Sequence, residues 1–399
     1  MSCSRVVVAA ALLVLSLHAR GAHAQAPEER GPLATASWDA GSLSLDGTSI
    51  RVRAYYPESG GPYPLVGVIH GANANGAYHT ELATTLASRG FVALTPDMPC
   101  TVTSCDHDAN QRQISAMIAW AVAQSGDAGS RLAGKVDGSR VGLIGHSWGG
   151  LSSHITASRD PSIDSVVLLD PNDDGTDGLS VTGSIAAPHL TLLAQVPGAC
   201  NSQWQEAMVR TRLTSGHLDF VIAGSGHCDP GEMDVLCSLG CGRGDTATTP
   251  MFRRNAVAWT SCVLTGDPAM AAWIGGASYD ADIAADRLRS AMPSGLETLP
   301  CNAGGLPDAG VIESPDAAVI AGLDAGASSM SDAAVDPAVD AFVVSGMDAG
   351  TSTGRDAGRS VGASPSGCSC RAGTRAPRTS AAWLALTLLV LAAHRRRHG

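Results

Sequence analysis

A serine lies between glycines where an apolar segment gives way to a helical pattern. The segment Val141–Ile144 is typical of a buried strand, and it leads into Gly145–Gly149, which has the form Gly-x-Ser-x-Gly. A strand, a sharp turn of this form and a helix indicate a nucleophile elbow, in which the serine hydroxyl stands above the end of a sheet. Ser147 is therefore predicted to be a nucleophile. A Gly-rich turn without chemistry is the alternative interpretation of the same five residues.

A serine nucleophile needs a general base. In hydrolases with a nucleophile elbow the chain order is Ser, Asp, His, so the expected base is a histidine after the last strand. Among 12 histidines, His227 lies in a Gly-rich loop after the apolar segment Phe220–Ala223. His217 precedes that segment and is predicted at the opposite edge of the sheet. His146 lies inside the elbow and is predicted to pack in the core. We predict that His227 is the base; a histidine of a surface loop is the alternative.

The acid that orients the base has two usual places, after the strand that follows the elbow or after the next strand. The later place, Leu193–Asn201, contains no carboxylate. The earlier place ends in Asp170, so Asp170 is predicted to orient His227. Asp173 and Asp174 are the other candidates for the acid. For all three aspartates, a solvated acidic turn without catalytic role is the alternative interpretation.

Two backbone amides are predicted to form an oxyanion hole. One belongs to Trp148, directly after the nucleophile. The other belongs to Ala72 in the segment His70–Ala72, where a glycine lets the backbone approach a substrate closely. Each such donor is worth about 3 kcal/mol of transition-state stabilisation.

Short apolar strands alternate with helical patterns through the middle of the chain. After a hairpin at Ala34–Tyr56, strands are predicted at 65–69, 91–94, 141–144, 166–169, 190–194 and 220–223, and helices at 81–88, 111–124, from 151 onward and at 251–264. In the second helix, the predicted buried face comprises Ile114, Met117, Ile118 and Val122. The alternation predicts an α/β fold, a mostly parallel sheet with helices on both faces and functional groups beyond the carboxyl ends of its strands.

These motifs together resemble the α/β-hydrolase family. Within it, Ser147 followed by Leu169-Asp170-Pro171 and later by Gly226-His227-x-Asp229 is similar to chlorophyllases and platelet-activating-factor acetylhydrolases. A C-terminal helix followed by Gly266-Asp267 is similar to dienelactone-hydrolase-like and polyester-degrading esterases. The resemblance covers about residues 35–300 and implies a serine esterase with the α/β-hydrolase fold. Dienelactone hydrolases use cysteine as nucleophile, whereas this chain has Ser147, so their substrate is not expected for this chain.

Composition narrows the range of partners. The chain has 399 residues, is 44% hydrophobic and carries a formal net charge of -11, and Lys135 is its one lysine. Because there is no basic stripe, nucleic acid is not an expected partner. No metal or cofactor is expected for the predicted chemistry.

The first residues predict export. Arg5 precedes an apolar run at 6–17, and Ala22-His23-Ala24 has the small-x-small form of a cleavage site. This pattern predicts a signal peptide at 1–24, with Gln25 as the mature N-terminus. A transmembrane anchor is the alternative, but the apolar run is too short to span a bilayer.

The composition changes after Cys301. Residues 302–367 are rich in Ala, Asp, Gly, Ser and Pro and are predicted to form a disordered spacer. In residues 368–399, Cys368 and Cys370 precede a short apolar run and an arginine cluster. This order resembles the C-terminal sorting tail of exported myxobacterial surface proteins, which implies anchoring at the cell surface and Cys368 or Cys370 as the site of lipid attachment. A plain membrane anchor is the alternative.

Eight cysteines lie between the signal peptide and the tail: Cys100, Cys105, Cys200, Cys228, Cys237, Cys241, Cys262 and Cys301. An even count in an exported chain predicts disulfides, and the pairs Cys100–Cys105 and Cys262–Cys301 are suggested while the others stay open. A zinc site of Cys228, Cys237, Cys241 and His227 is the alternative. The run Asp106-His107-Asp108 is predicted to cap a helix rather than to bind a metal.

The sequence thus predicts a signal peptide at 1–24, an α/β-hydrolase catalytic domain at 25–301, a spacer at 302–367 and a sorting tail at 368–399. The predicted function is hydrolysis of carboxylic esters through an acyl-enzyme, by a secreted, cell-surface-tethered, lipase-like serine esterase. Small-molecule, lipid or polyester esters are the expected substrates. Contact with a membrane is expected only through the C-terminal tail. The alternatives are a peptidase and an inactive hydrolase scaffold that acts as a surface binding protein.

Overall fold

The computed structural model describes residues 25–302, apart from positions 174, 176, 199, 202, 233, 234, 242–244 and 290. The predicted signal peptide at 1–24, the sorting tail at 368–399 and the spacer beyond residue 302 lie outside the described residues. The predicted catalytic domain is the part of the chain whose structure follows.

A single mixed sheet forms the centre of this domain. Its strands are β1 Thr35–Leu45, β2 Thr48–Pro57, β3 Tyr63–Ile69, β4 Val92–Pro96, β5 Val136–His146, β6 Ile163–Leu169, β7 His189–Ala194, β8 His217–Ile222 and β9 Leu288–Arg289. They are ordered β1-β2-β4-β3-β5-β6-β7-β8-β9. Neighbours from β4 to β8 pair in parallel, whereas β1, β2 and β9 are antiparallel to their neighbours. The predicted α/β-hydrolase fold, mostly parallel, is confirmed.

Helices connect the parallel strands. They are α1 Thr80–Ser88, α2 His107–Gly126, α3 Trp148–Arg159, α4 Asp177–Val181, α5 Glu206–Arg212, α6 Val235–Cys241, α7 Thr249–Thr265, α8 Ala271–Ile274 and α9 Ala277–Ala284. Short 3-10 segments occur at Gly76–His79, Thr182–Ser184, Thr246–Thr248, Pro268–Met270, Leu296–Thr298 and Pro300–Asn302. The four long helices match the predicted ones. The shorter helices escaped prediction because a helical period needs a window of roughly 11 residues or more.

Both faces of the sheet are buried. Successive residues of a strand point to opposite faces, so in β5 Ile144 packs with α1 and α7 while Leu143 packs with α2. In α2, Ile114 and Met117 are buried as predicted, but Val122 is 40% exposed. The face repeats at i, i+3, i+4 and i+7, which brings Ala121 into the core and turns the next residue outward.

Local turn chemistry also follows the predictions. In the β1–β2 hairpin, both turn residues, Asp46 and Gly47, have positive φ, as a tight turn matched to strand twist requires. Asp106 caps α2 by accepting a hydrogen bond from the amide of Ala109. The cap expected in that acidic run is therefore confirmed.

Four disulfides join the eight cysteines: Cys100–Cys105, Cys200–Cys241, Cys228–Cys237 and Cys262–Cys301. Two of these are the pairs that the sequence suggested. The three thiols of the alternative zinc site are paired in disulfides in this structure, and a disulfide sulfur is not the thiolate that zinc binds. Among residues 25–302, no described helix is long and apolar enough to cross a membrane.

Candidate active site

The elbow is a strained turn between β5 and α3. Ser147 has φ +54° and ψ -125°, a conformation that an L-residue adopts only when its surroundings hold it there. A Cβ added to Gly145 would collide with the carbonyl oxygen of Gly149, and a Cβ added to Gly149 would collide with that of His70. The two glycines of the pentapeptide are therefore required by backbone packing on either side of the serine.

Three predicted side chains meet at the carboxyl ends of β5, β6 and β8. His227 Nδ1 lies 2.6 Å from Asp170 Oδ2, and His227 Nε2 lies 2.9 Å from Ser147 Oγ. Because an ionised carboxylate can only accept, Nδ1 carries the ring proton and Nε2 is left to accept from the serine hydroxyl. All three residues are buried, Ser147 being 8% exposed. The arrangement can therefore move a proton from the serine to the imidazole with little access for bulk water.

Both carboxylate oxygens of Asp170 accept hydrogen bonds. Oδ1 accepts from the amide of Ala194 at 2.7 Å, and Oδ2 accepts from Asn201 Nδ2 at 3.2 Å in addition to His227. Its backbone has φ +41°, a left-handed conformation that residues other than glycine rarely adopt. The carboxylate is buried with its hydrogen-bonding capacity satisfied, as a buried charge requires.

Of the two alternatives to Asp170, the structure describes Asp173 but not Asp174. Asp173 accepts hydrogen bonds from the amides of Gly175 and Gly178, each at 3.1 Å. It therefore orders its own loop at the start of α4. Asp174 lies outside the described residues.

The loop after β3 passes directly over the nucleophile. A Cβ added to Gly71 would lie 2.8 Å from Ser147 Cβ, so Ala72 follows a residue in contact with the serine. The loop is fixed at both ends, because His70 Nε2 accepts from the amide of Met98 at 2.7 Å and the amide of Asn73 donates to Cys100 O at 2.9 Å. The Cys100–Cys105 disulfide thus closes the turn that this loop rests on.

The other predicted oxyanion donor begins α3. Trp148 is the first residue of that helix, where a backbone amide has no acceptor within its own helix. The start of a helix also carries a partial positive charge, which favours a developing anion beside it.

His146 does more than pack in the core. Its Nε2 donates to the backbone carbonyl of His227 at 2.7 Å, so the imidazole holds the loop that carries the predicted base. Burial, and in second place the neighbouring His227, keep the pKa of His146 well below its usual range. Sequence reasoning missed this contact because the two residues are 81 apart in the chain; the available signal was a histidine inside the elbow itself.

The base loop has a second support. Asp229 Oδ2 accepts from the amide of Gly226 at 2.8 Å and from Thr248 Oγ1 at 2.7 Å. The Cys228–Cys237 disulfide follows directly after His227. The loop is therefore closed on both sides of the imidazole, and the Gly-His-x-Asp pattern was the sequence signal for it.

A different histidine cluster lies at the amino ends of β7 and β8. His217 begins β8, at the opposite edge as predicted, and its Nε2 lies 3.1 Å from Glu206 Oε1 and 3.5 Å from Asp219 Oδ1. These three side chains could contact one metal ion, but their carboxylates already have donors. Arg210 pairs with Asp219, and Trp204 Nε1 donates to Glu206 at 2.6 Å.

Comparison with known proteins shows similarity to ester hydrolases over part of the chain. A family model described as PETase, PET hydrolase-like, matches residues 22–207. The matched region contains Ser147 and Asp170 and ends before His227.

Several curated proteins are similar over part of the chain. Cutinase cut1 of Thermobifida fusca is 31% identical over 176 residues, which are 41% of this chain and 53% of the cutinase. Cutinase est1 of Thermobifida alba is 27% identical over 201 residues, 50% of this chain and 57% of the relative. A bis(hydroxyethyl) terephthalate hydrolase of Streptomyces coelicolor is 33% identical over 180 residues, 41% and 56% of the two chains. The chain spans about half the length of the curated relatives it matches.

Proposed function

We propose that this protein is a serine hydrolase that cleaves carboxylic esters through an acyl-enzyme. The observation that carries the proposal is the hydrogen-bonded series Ser147–His227–Asp170 at the carboxyl ends of β5, β6 and β8. Nucleophile, base and orienting acid within hydrogen-bond reach of one another are the signature of activated serine catalysis.

Each side chain has one role in the proposed reaction. Ser147 Oγ attacks the ester carbonyl carbon while its proton passes to His227 Nε2, and Asp170 holds the Nδ1 proton and stabilises the imidazolium. The imidazolium then protonates the departing alkoxide, which leaves the acyl group on Ser147. In the second half, His227 takes a proton from water, the hydroxide attacks the acyl carbon, and the carboxylic acid is released as Ser147 regains its proton.

The amides of Ala72 and Trp148 are proposed to bind the oxyanion of both tetrahedral intermediates. The proposal is supported by the contact between Gly71 and Ser147 and by the position of Trp148 at the helix start. Loss of one donor of this kind costs about 3 kcal/mol of transition-state stabilisation.

The proposed substrates are esters of the small-molecule, lipid or polyester class. The similar proteins are named cutinases and a bis(hydroxyethyl) terephthalate hydrolase, which favours an ester over an amide and a hydrolase over a binding protein. The fold alone would permit other chemistry.

Export and surface tethering are proposed as well. The signal pattern at 1–24 and the Cys-apolar-Arg order at 368–399 support them, and four disulfides suit an oxidising compartment. Sequencing the mature N-terminus and testing Cys368 and Cys370 for a lipid by mass spectrometry would check both; a chain beginning at Met1 and found in the cytoplasm would contradict them.

The test of the activity uses the full chain, produced in an oxidising compartment. Hydrolysis of p-nitrophenyl esters from acetate to long acyl chains, and of bis(hydroxyethyl) terephthalate, is measured beside Ser147→Ala. We expect kcat to fall at least about 10³-fold in that variant, because the nucleophile is lost. Ser158→Ala, in the helix that follows Ser147 and bonded to the carbonyl of Ile155, should retain activity.

A fluorophosphonate probe gives an independent readout. It should label Ser147 in the wild type and leave Ser147→Ala unlabelled. A folded wild type that neither hydrolyses any of these esters nor takes up the probe would refute the proposal and favour a binding protein.

A further inference from the structure

Asn201 lies in the segment that would carry the acid if this chain used the later place, yet it is an amide. Its Nδ2 lies 3.2 Å from Asp170 Oδ2, the same oxygen that accepts from His227. The orientation of the amide is fixed by its other bonds: Oδ1 accepts from the amide of Gly198 at 2.9 Å, and Nδ2 also donates to Val196 O at 3.2 Å. A flipped amide would set its oxygen against a carboxylate and a carbonyl.

We propose that Asn201 is a positioning residue for the catalytic acid. This inference rests on the proposed function of Ser147, His227 and Asp170. The amide donor fixes Oδ2 in line with His227 Nδ1 and stabilises the charge of the carboxylate. A neutral donor suits this position because a second carboxylate there would repel the charge of Asp170 and hold the proton on the base too tightly.

The Cys200–Cys241 disulfide anchors this residue. Cys200 directly precedes Asn201, and Cys241 ends α6 in the segment that follows His227. A Cβ added to Gly198 would lie 2.5 Å from Cys241 O, so the segment around Asn201 rests on that backbone. The disulfide therefore joins the loop that supports the acid to the loop that carries the base.

Gln195 provides a matched control in the same segment. Its Oε1 accepts from the amide of Gly224 at 2.6 Å. Gln195→Glu keeps an acceptor there and adds the same charge as Asn201→Asp, at a side chain bonded to the backbone of Gly224 and not to Asp170. The pair of variants separates the contact with Asp170 from the added charge.

The first test compares Asn201→Asp with Gln195→Glu by esterase kinetics over pH. Asn201→Asp keeps the acceptor for Gly198 but replaces the donor with a carboxylate oxygen. We expect kcat to fall about tenfold with KM nearly unchanged, since a hydrogen bond to a charged group is lost. The acid limb of kcat/KM should move up by about one pH unit, because the added negative charge favours the imidazolium form of the base, and the base must be neutral to act. Gln195→Glu should change neither by comparable amounts.

The second test compares two disulfides that close loops of similar length. Cys200–Cys241 and Cys262–Cys301 span 41 and 39 residues. Removing either disulfide should therefore raise the conformational entropy of the unfolded chain by a similar amount. Measured below the melting transition of both proteins, Cys200→Ser with Cys241→Ser should lower kcat. Cys262→Ser with Cys301→Ser should lower Tm alone.

The outcomes separate this inference from the function on which it rests. An active wild type whose Asn201→Asp variant loses Tm but keeps its kcat and acid limb would overturn the positioning role. An equal shift in Gln195→Glu would also overturn it, because the charge rather than the contact would then be responsible. A wild type without activity or probe labelling would instead remove the proposed function itself.

Discussion

Two buried histidine–carboxylate clusters occupy opposite ends of the parallel strands of the sheet. At the carboxyl ends, His227 lies 2.6 Å from Asp170; at the amino ends, His217 lies 3.1 Å from Glu206. In both clusters the imidazole and the carboxylate are almost fully buried. Residue types and burial alone would not tell one cluster from the other.

The clusters differ in what their hydroxyl groups are doing. At the carboxyl ends, Ser147 Oγ faces an imidazole nitrogen that can take its proton. At the amino ends, His154 Nδ1 lies 3.1 Å from Nε2 of His189, the first residue of β7. Thr182 Oγ1 lies 2.9 Å from His154 Nε2, but it also donates to the carbonyl of Gly178 at 2.9 Å. The threonine proton is already engaged with the backbone, so this pair closes a structural network.

Charge and backbone strain separate the clusters further. Arg210 neutralises Asp219 at the amino ends, whereas hydrogen-bond donors without formal charge surround Asp170. Of the five non-glycine residues with positive φ in the described chain, three are Asn73, Ser147 and Asp170. Strain concentrated at one end marks that end as the place where geometry matters more than stability.

The largest expected contrast comes from removing one carboxylate at each end. Asp170→Asn should lower kcat about 10⁴-fold, because His227 loses the partner that fixes its tautomer and stabilises its cation. Asp219→Asn should keep kcat within about twofold but lower the free energy of unfolding by about 2 kcal/mol, since a partly solvated Arg210 loses its partner. Ester kinetics and urea unfolding of both variants measure this. Equal losses of activity would break the distinction between the two clusters.

A smaller contrast is expected from adding one methyl group at each end. In Gly71→Ala the new Cβ would lie 2.8 Å from Ser147 Cβ, whereas nothing lies within 4 Å of a Cβ at Gly183. Displacement of the loop that carries Ala72 should lower kcat/KM about 10²-fold, the effect of one lost oxyanion donor. Gly183→Ala should keep kcat/KM and Tm close to those of the wild type. Full activity in Gly71→Ala would exclude Ala72 as a donor.

The smallest contrast concerns acid stability, to which both ends contribute. Burial lowers the pKa of His154 to about 4 at the amino ends and that of His79 to about 3 beneath the site. The unfolded chain protonates these imidazoles near pH 6.5. Each neutral imidazole therefore contributes stability that is fully present above pH 6.5 and is lost as the pH falls toward its folded pKa.

Unfolding by urea at pH 7 and pH 5 measures this contribution. Each of these residues should account for about 2 kcal/mol of the loss between the two pH values. His154→Gln should therefore reduce the pH dependence by about that amount while its kcat at pH 7 stays near that of the wild type. An unchanged pH dependence would mean that the amino-end cluster does not titrate on unfolding.

Local patterns in the sequence predicted the parts of the molecule that depend on neighbours in the chain. Strand–turn–helix order and glycine spacing identified the elbow at Ser147, and chain order with the missing carboxylate at 193–201 selected His227 and Asp170. The structure brings these three side chains together. Their roles remain predictions for the kinetics above.

Contacts between distant segments could not be predicted in this way. The support of His227 by His146, the bond from Asn201 to Asp170 and the pairing of Cys200 with Cys241 each join segments separated by about 30 to 80 residues. No periodicity or motif encodes which loops meet, because sheet order and loop packing decide it.

The sequence by itself determined the alternation of strands and helices, the strained turn and the residue types that chemistry at this site requires, because backbone preference and hydrophobic period act over a few residues. Only the tertiary structure decided which of the two buried histidine clusters has a serine hydroxyl within hydrogen-bond reach of an imidazole nitrogen. Strand order sets Ser147, Asp170 and His227 at one edge of the sheet and leaves His217 at the other. A hydroxyl group can act as a nucleophile when packing places a base beside it and no backbone acceptor takes its proton.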